Sequence, residues 1–135
     1  MREPPGVLVI DAANVIGSRP TGWWRDRAGA ARQFVEQLGV AAREGKIPLP
    51  AVVVLEGDAR GGAVEADVNG LRVVHAAGDG DDAVVAQISG KDDIVVTSDR
   101  GLRQRARQRG AETVGPGWLY ERLRAPRSGA NAETR

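Results

Sequence analysis

Carboxylates occupy three places in this chain where chemistry is usually done. Asp11 directly follows the apolar run Val7, Leu8, Val9 and Ile10, and Asn14 comes three residues later. Asp79, Asp81 and Asp82 lie between glycines and run into Ala83, Val84 and Val85. Asp99 closes the run Ile94, Val95, Val96, Thr97 and Ser98, and a polar stretch from Arg100 to Arg109 follows. In open α/β sheets ligands collect beyond the carboxyl ends of the strands, which is where these acids fall. Taken singly, each Asp fits a helix or turn cap. All of them at such boundaries fit a shared site better. Two like charges ~4 Å apart repel by about 4 kcal/mol at an effective dielectric of 20. A divalent cation would relieve that repulsion, and hard oxygen donors select Mg²⁺ or Mn²⁺, as one ion or two. Such a site can activate water for in-line attack on a phosphodiester. The neighbouring arginines suit a phosphate backbone.

Composition narrows the classes. The chain has 135 residues, 41% hydrophobic and 27% charged, with a formal net charge of +1. That is an ordinary single-domain globular composition. The neutral total hides an uneven distribution. Acids gather around 56–58, 79–82 and 92–99, and arginines at 100–109 and 122–127. With no cysteine, disulfides, thiolate metal sites and a Cys nucleophile are excluded. No apolar run is long enough to span a bilayer and no signal pattern opens the chain, so a cytoplasmic protein without membrane contact is expected.

The acids need elements to position them. Val7–Ile10, Ala51–Leu55, Leu71–Val74, Ile94–Thr97 and Glu112–Val114 read as strands, the first as one buried on both faces. Asn69 and Gly70 signal a two-residue hairpin, giving Leu71–Val74 an edge partner within 63–68. Residues 15–22 read as a loop. From Trp23 and Trp24 a helix runs to Gly45, with Trp24, Ala28, Ala31, Val35, Leu38 and Ala42 on one face. Further helices are expected at 82–89, 100–109 and 118–123. Trp24 suits packing, whereas Trp23 could stack on a base. His75 is the only histidine and reads as structural. Residues 1–124 form the expected domain and 125–135 a disordered tail.

Three segments, Val9 to Asn14, Gly78 to Val85 and Val95 to Leu102, together resemble the NYN branch of the PIN-like nuclease superfamily over residues 6–124. The acidic pair opening a helix is also similar to the matching segment of flap endonucleases and related 5′ nucleases. The resemblance implies a three-layer α/β/α sandwich around a mostly parallel sheet of about five strands in the order 3-2-1-4-5. It also implies metal-dependent endonucleolytic cleavage of RNA, single-stranded or structured, and less often of DNA. By position, Asp11, Asp82 and Asp99 would be the catalytic carboxylates, with Asp81 and Asp79 as further metal ligands; which of Asp81 and Asp82 faces inward is open by one position. Asn14 would be the polar partner typical of the branch. Thr97 and Ser98 would line the site, and Arg100 and Arg103 would meet phosphate. The chain departs from the pattern at Ala12 and Ala13, where the branch has Gly after the first Asp, and at Asp79, where it often has Glu.

Other readings compete. A PIN-like module could bind RNA through the Arg face of 100–109 without cutting it. A toxin-type PIN ribonuclease with an antitoxin is a third possibility. A phosphatase with a nucleophilic Asp needs a second acid two residues on, where this chain has Ala13. A homodimer stays open, and the residues indicate no particular protein partner.

Overall fold

The computed structural model describes residues 6–126. Its centre is β1 (Leu8–Asp11), buried along its whole length. β2 (Ala51–Leu55) pairs parallel on one side and β5 (Ile94–Val96) on the other. β4 (Leu71–His75) extends the sheet beyond β2, and β6 (Glu112–Val114) beyond β5, both in parallel. β3 (Ala66–Val68) closes one edge antiparallel to β4. The order is β3-β4-β2-β1-β5-β6. The five parallel strands stand in the expected order, and the hairpin strand β3 makes the sixth. Asn69 and Gly70 both take positive φ between β3 and β4, as a tight hairpin turn requires.

Side chains alternate across the sheet and form two cores. Leu8, Ile10, Val53, Leu55 and Val96 pack with α1 (Ala12–Gly17), α2 (Arg27–Arg43) and α5 (Pro116–Arg124). Val9, Val52, Val54 and Val95 pack with α3 (Gly80–Ala86) and α4 (Arg100–Gln108) on the opposite face. This is the expected three-layer sandwich. Burial on both faces explains why β1 and β2 are unbroken apolar runs rather than alternating ones.

Several boundaries differ from the sequence reading, each for a local reason. α1 covers residues 12–17 and so takes 15–17 out of the expected loop, because Asp11 accepts from the Asn14 N–H at 3.4 Å and caps the turn. Trp23–Arg25 form a separate 3₁₀ turn. Asp26 interrupts there and caps α2 by accepting from Gly29 N–H at 2.9 Å. Trp24 therefore does not join the packed face and is 51% exposed. Phe34 and Ala41 take inward places beside Ala31, Leu38 and Ala42. α3 starts two residues early because Asp79 caps it. α5 begins at Pro116, which suits the first helical position. His75 Nε2 lies 2.7 Å from the Ala63 carbonyl, a structural contact at the sheet edge. Among the described residues no helix is long and apolar enough to cross a membrane. Of the expected tail, residues 127–135 lie outside the described ones.

Candidate active site

Parallel strands release their carboxyl ends on one side of the sheet, and four acids emerge there from four different connections. Asp11 ends β1, Glu56 follows β2, Asp81 lies in the first turn of α3 and Asp99 caps α4. Asp11 is the most enclosed, with 8% of its surface exposed. Burial, aided by the charges of Asp81 and Glu56, pushes its pKa up to about 6 against the hydrogen bonds from Thr97 and Asn14. Desolvation also raises Asp81, followed by the charges of Asp99, Asp79 and Glu56, with Arg105 acting in the opposite direction. Carboxylates raised by burial and by one another's charge at strand ends make this a candidate functional site.

Buried and semi-buried polar contacts hold the strand ends in place. Thr97 is fully buried, and its hydroxyl donates to Asp11 Oδ2 at 3.0 Å. Thr97 Oγ1 in turn accepts from Asp99 N–H at 3.2 Å, so one side chain fixes both acids. Asn14 Oδ1 accepts from Ser98 N–H and Oγ–H at 2.8 and 2.9 Å, tying α1 to the β5 end. Arg103 turns back and donates from Nε to the Thr97 carbonyl at 2.7 Å. Glu56 Oε2 accepts from Gly80 N–H at 2.8 Å and anchors the start of α3. A Cβ at Gly80 would collide with that carboxylate, so the glycine admits the contact.

The structure brings Asp11, Asp81 and Asp99 together and sets Asp82 apart. Asp82 is 70% exposed in its side chain and pairs with Arg105 at 2.9 Å, facing α4. The ambiguity between Asp81 and Asp82 resolves by helix phase: adjacent helical residues point about 100° apart, so only one can face the strand ends. Asp79 spends one oxygen on Asp81 N–H at 2.9 Å as the α3 cap. Thr97 and Ser98 lie at the site as expected, but as its internal bracing. Arg103 braces the same loop instead of standing free for phosphate, while Arg100 is exposed at the first turn of α4. Trp23 lines a small cavity beside Glu56. Glu56 is the residue that sequence reasoning passed over. It follows a buried strand just as Asp11 does, and that parallel was the available signal.

A divalent cation suits the donor chemistry: hard carboxylate oxygens, with mutual repulsion to be neutralised. Among the described residues no three acidic or imidazole side chains close about one point. Mg²⁺ does not need such a cage, since it keeps several waters and uses one or two carboxylates together with substrate phosphates.

No protein family model matches the chain, and no curated protein does. A solved structure, a point mutant of Rae1 (YacP) from Bacillus subtilis, is similar to it with a TM-score of 0.61 at 17% sequence identity. The match covers 87% of this chain and 74% of that one. At that identity the likeness establishes the fold.

Proposed function

We propose that the chain is an Mg²⁺- or Mn²⁺-dependent endoribonuclease. The observation that carries this reading is the meeting of Asp11, Asp81, Asp99 and Glu56 at the carboxyl ends of the strands, with Asp11 buried and its pKa raised. The choice of RNA rests on the resemblance of the motifs around Asp11, Asp81 and Asp99 to the NYN branch. The likeness in fold to Rae1 is compatible with it. One or two of Asp11, Asp81 and Asp99 would hold the cation directly, and the rest would reach it through its waters. When bound, the cation supplies an activated water and countercharge for the phosphate. Thr97 orients Asp11, and Glu56 holds the turn that carries Asp81. The Asn14–Ser98 contact locks the spacing of two strand ends, and Arg100 stands at the rim for a phosphate.

Cleavage of labelled single-stranded RNA by the purified protein in Mn²⁺, Mg²⁺ and EDTA tests the reading, with Asp99→Asn alongside. Cutting in metal that is lost in EDTA and in the variant is expected. Retained RNA without cutting in any metal would instead favour a binding module, the reading to which the open spacing of the acids also lends itself.

A further inference from the structure

Beside the acids lies a cavity of about 110 Å³. Its walls are Ala13, Ile16, Ala30, Ala59 and the Trp23 ring, with Arg27 and Glu56 as its polar members. It adjoins the candidate site through the chain itself. Ala13 is two residues from Asp11, and Glu56 is the acid whose charge reaches both Asp11 and Asp81. Ligand pockets for drug-sized molecules run from roughly 300 to 1,000 Å³, so this one is too small for a whole nucleotide. Its size suits one flat ring. The indole is held in place: it meets Trp24 edge to face at 5.8 Å between centroids. Arg27 sets its guanidinium over the Trp23 ring, 5.1 Å from its centre, so a base stacking there takes its place and moves it toward the backbone. That contact leaves a cation beside an apolar slot with an aromatic wall. Single-stranded nucleic acid is gripped by this combination, with bases on aromatic rings and arginine near the backbone.

We propose, building on the RNA-cleaving reading, that this cavity is a nucleobase subsite. One base of the strand enters against Trp23 while its phosphate lies toward the acids. Arg27 meets the backbone at the mouth. The subsite fixes the strand relative to the acids and so selects which phosphodiester is presented.

The test compares binding of an oligoadenylate with binding of an abasic ribose-phosphate oligomer of the same length, in EDTA. Wild-type protein is expected to prefer the oligoadenylate. Trp23→Leu removes the ring, and Ala59→Leu fills the cavity while keeping it. Each should lower that preference by roughly tenfold to a hundredfold, the range expected for one base–aromatic stack. Val68→Ala, at an exposed position on the edge strand β3 away from the cavity, should leave the preference intact. Unchanged preference in Trp23→Leu and Ala59→Leu, or equal loss in Val68→Ala, overturns the subsite. Cleavage in Mn²⁺, measured on the same proteins, separates the two ideas. Cutting with unchanged base preference removes the subsite and keeps the nuclease. Base preference lost in both cavity variants without any cutting by wild type keeps the subsite and removes the nuclease. No binding of either oligomer removes the subsite, and cutting in Mn²⁺ then decides the nuclease alone.

Discussion

Replacing Asp11 by Asn should make the metal-free protein more stable, not less. In the folded chain the Asp11 carboxyl titrates near 6 rather than 3.8, chiefly because burial disfavours its charge. Above both values the ionised group opposes folding by about 3 kcal/mol, from the shift and the linkage relation. An amide carries no charge and so escapes that cost. It keeps an oxygen for the Thr97 hydroxyl but fits the Asn14 N–H less well, a loss of about 1 kcal/mol. The net gain is about 2 kcal/mol at pH 8, or about 5–8 °C in melting temperature for a domain of this size. The sign of the pH dependence follows from a raised pKa. As pH falls through 6 the folded carboxyl takes up a proton before the unfolded one does, and the wild-type penalty fades. The advantage of Asp11→Asn should shrink toward zero near pH 4.5. Urea unfolding of both proteins in EDTA at pH 8 and pH 4.5 measures this. A variant less stable than wild type at pH 8, or a gain independent of pH, would refute the burial argument.

Other residues give separate tests. Asp93 is buried at the opposite end of the sheet and accepts from Val7, Ser89 and Gly90 N–H groups. Burial raises its pKa, but those bonds together outweigh it and leave the pKa lowered. Asp93→Ala should cost about 2–4 kcal/mol at neutral pH, since several backbone donors lose their acceptor. The difference from wild type should narrow as pH drops below about 4, where the lowered carboxyl protonates; denaturation midpoints across pH will show it. Thr97→Val removes the bond that holds Asp11 anionic, so the acidic limb of a cleavage pH profile should move to higher pH. Gly80→Ala puts a methyl where the Glu56 carboxylate sits, so that flexible side chain must swing away and release the Gly80 N–H; activity should fall by a few-fold if the Glu56 anchor positions Asp81. Near-normal circular dichroism should accompany that loss, and full activity in Gly80→Ala would show that the Glu56 anchor is dispensable.

Much of this architecture was legible because parallel α/β folds write themselves in simple signals. The runs at Val7–Ile10, Ala51–Leu55 and Ile94–Val96 are apolar on every residue because both faces are covered. Asn69 and Gly70 could take the positive φ of a hairpin turn. Asp11 and Asp99 announced themselves by ending buried runs. The misreadings came where a side chain competes with periodicity. Asp26 caps α2 and so pulls Trp24 out of the packed face, although its spacing matched the helix. Asp79 does the same for the start of α3. The choice between Asp81 and Asp82 depended on helix phase, which a one-residue shift in the cap reverses. Arg103 looked like a surface cation because its bond to the Thr97 carbonyl requires the β5–α4 turn to exist first. Glu56 follows β2, which the expected strand order already set beside β1; its likeness to Asp11 at the end of a buried run was the signal left unused.

The central claim is that the acids meeting at the strand ends form a catalytic cluster. Asp81 and Asp82 are chemically identical neighbours, yet Asp81 is partly buried and raised by burial and by the charges of Asp99, Asp79 and Glu56, whereas the Asp82 side chain is exposed and pairs with Arg105. RNA cleavage in Mn²⁺ by Asp81→Asn and Asp82→Asn, compared side by side, tests the claim most directly. Asp81→Asn should lose about a hundredfold or more of the rate, as expected on removing an electrostatic group from the reacting centre. Asp82→Asn should stay within a few-fold of wild type. Equal loss in both, or the greater loss in Asp82→Asn, would contradict the account.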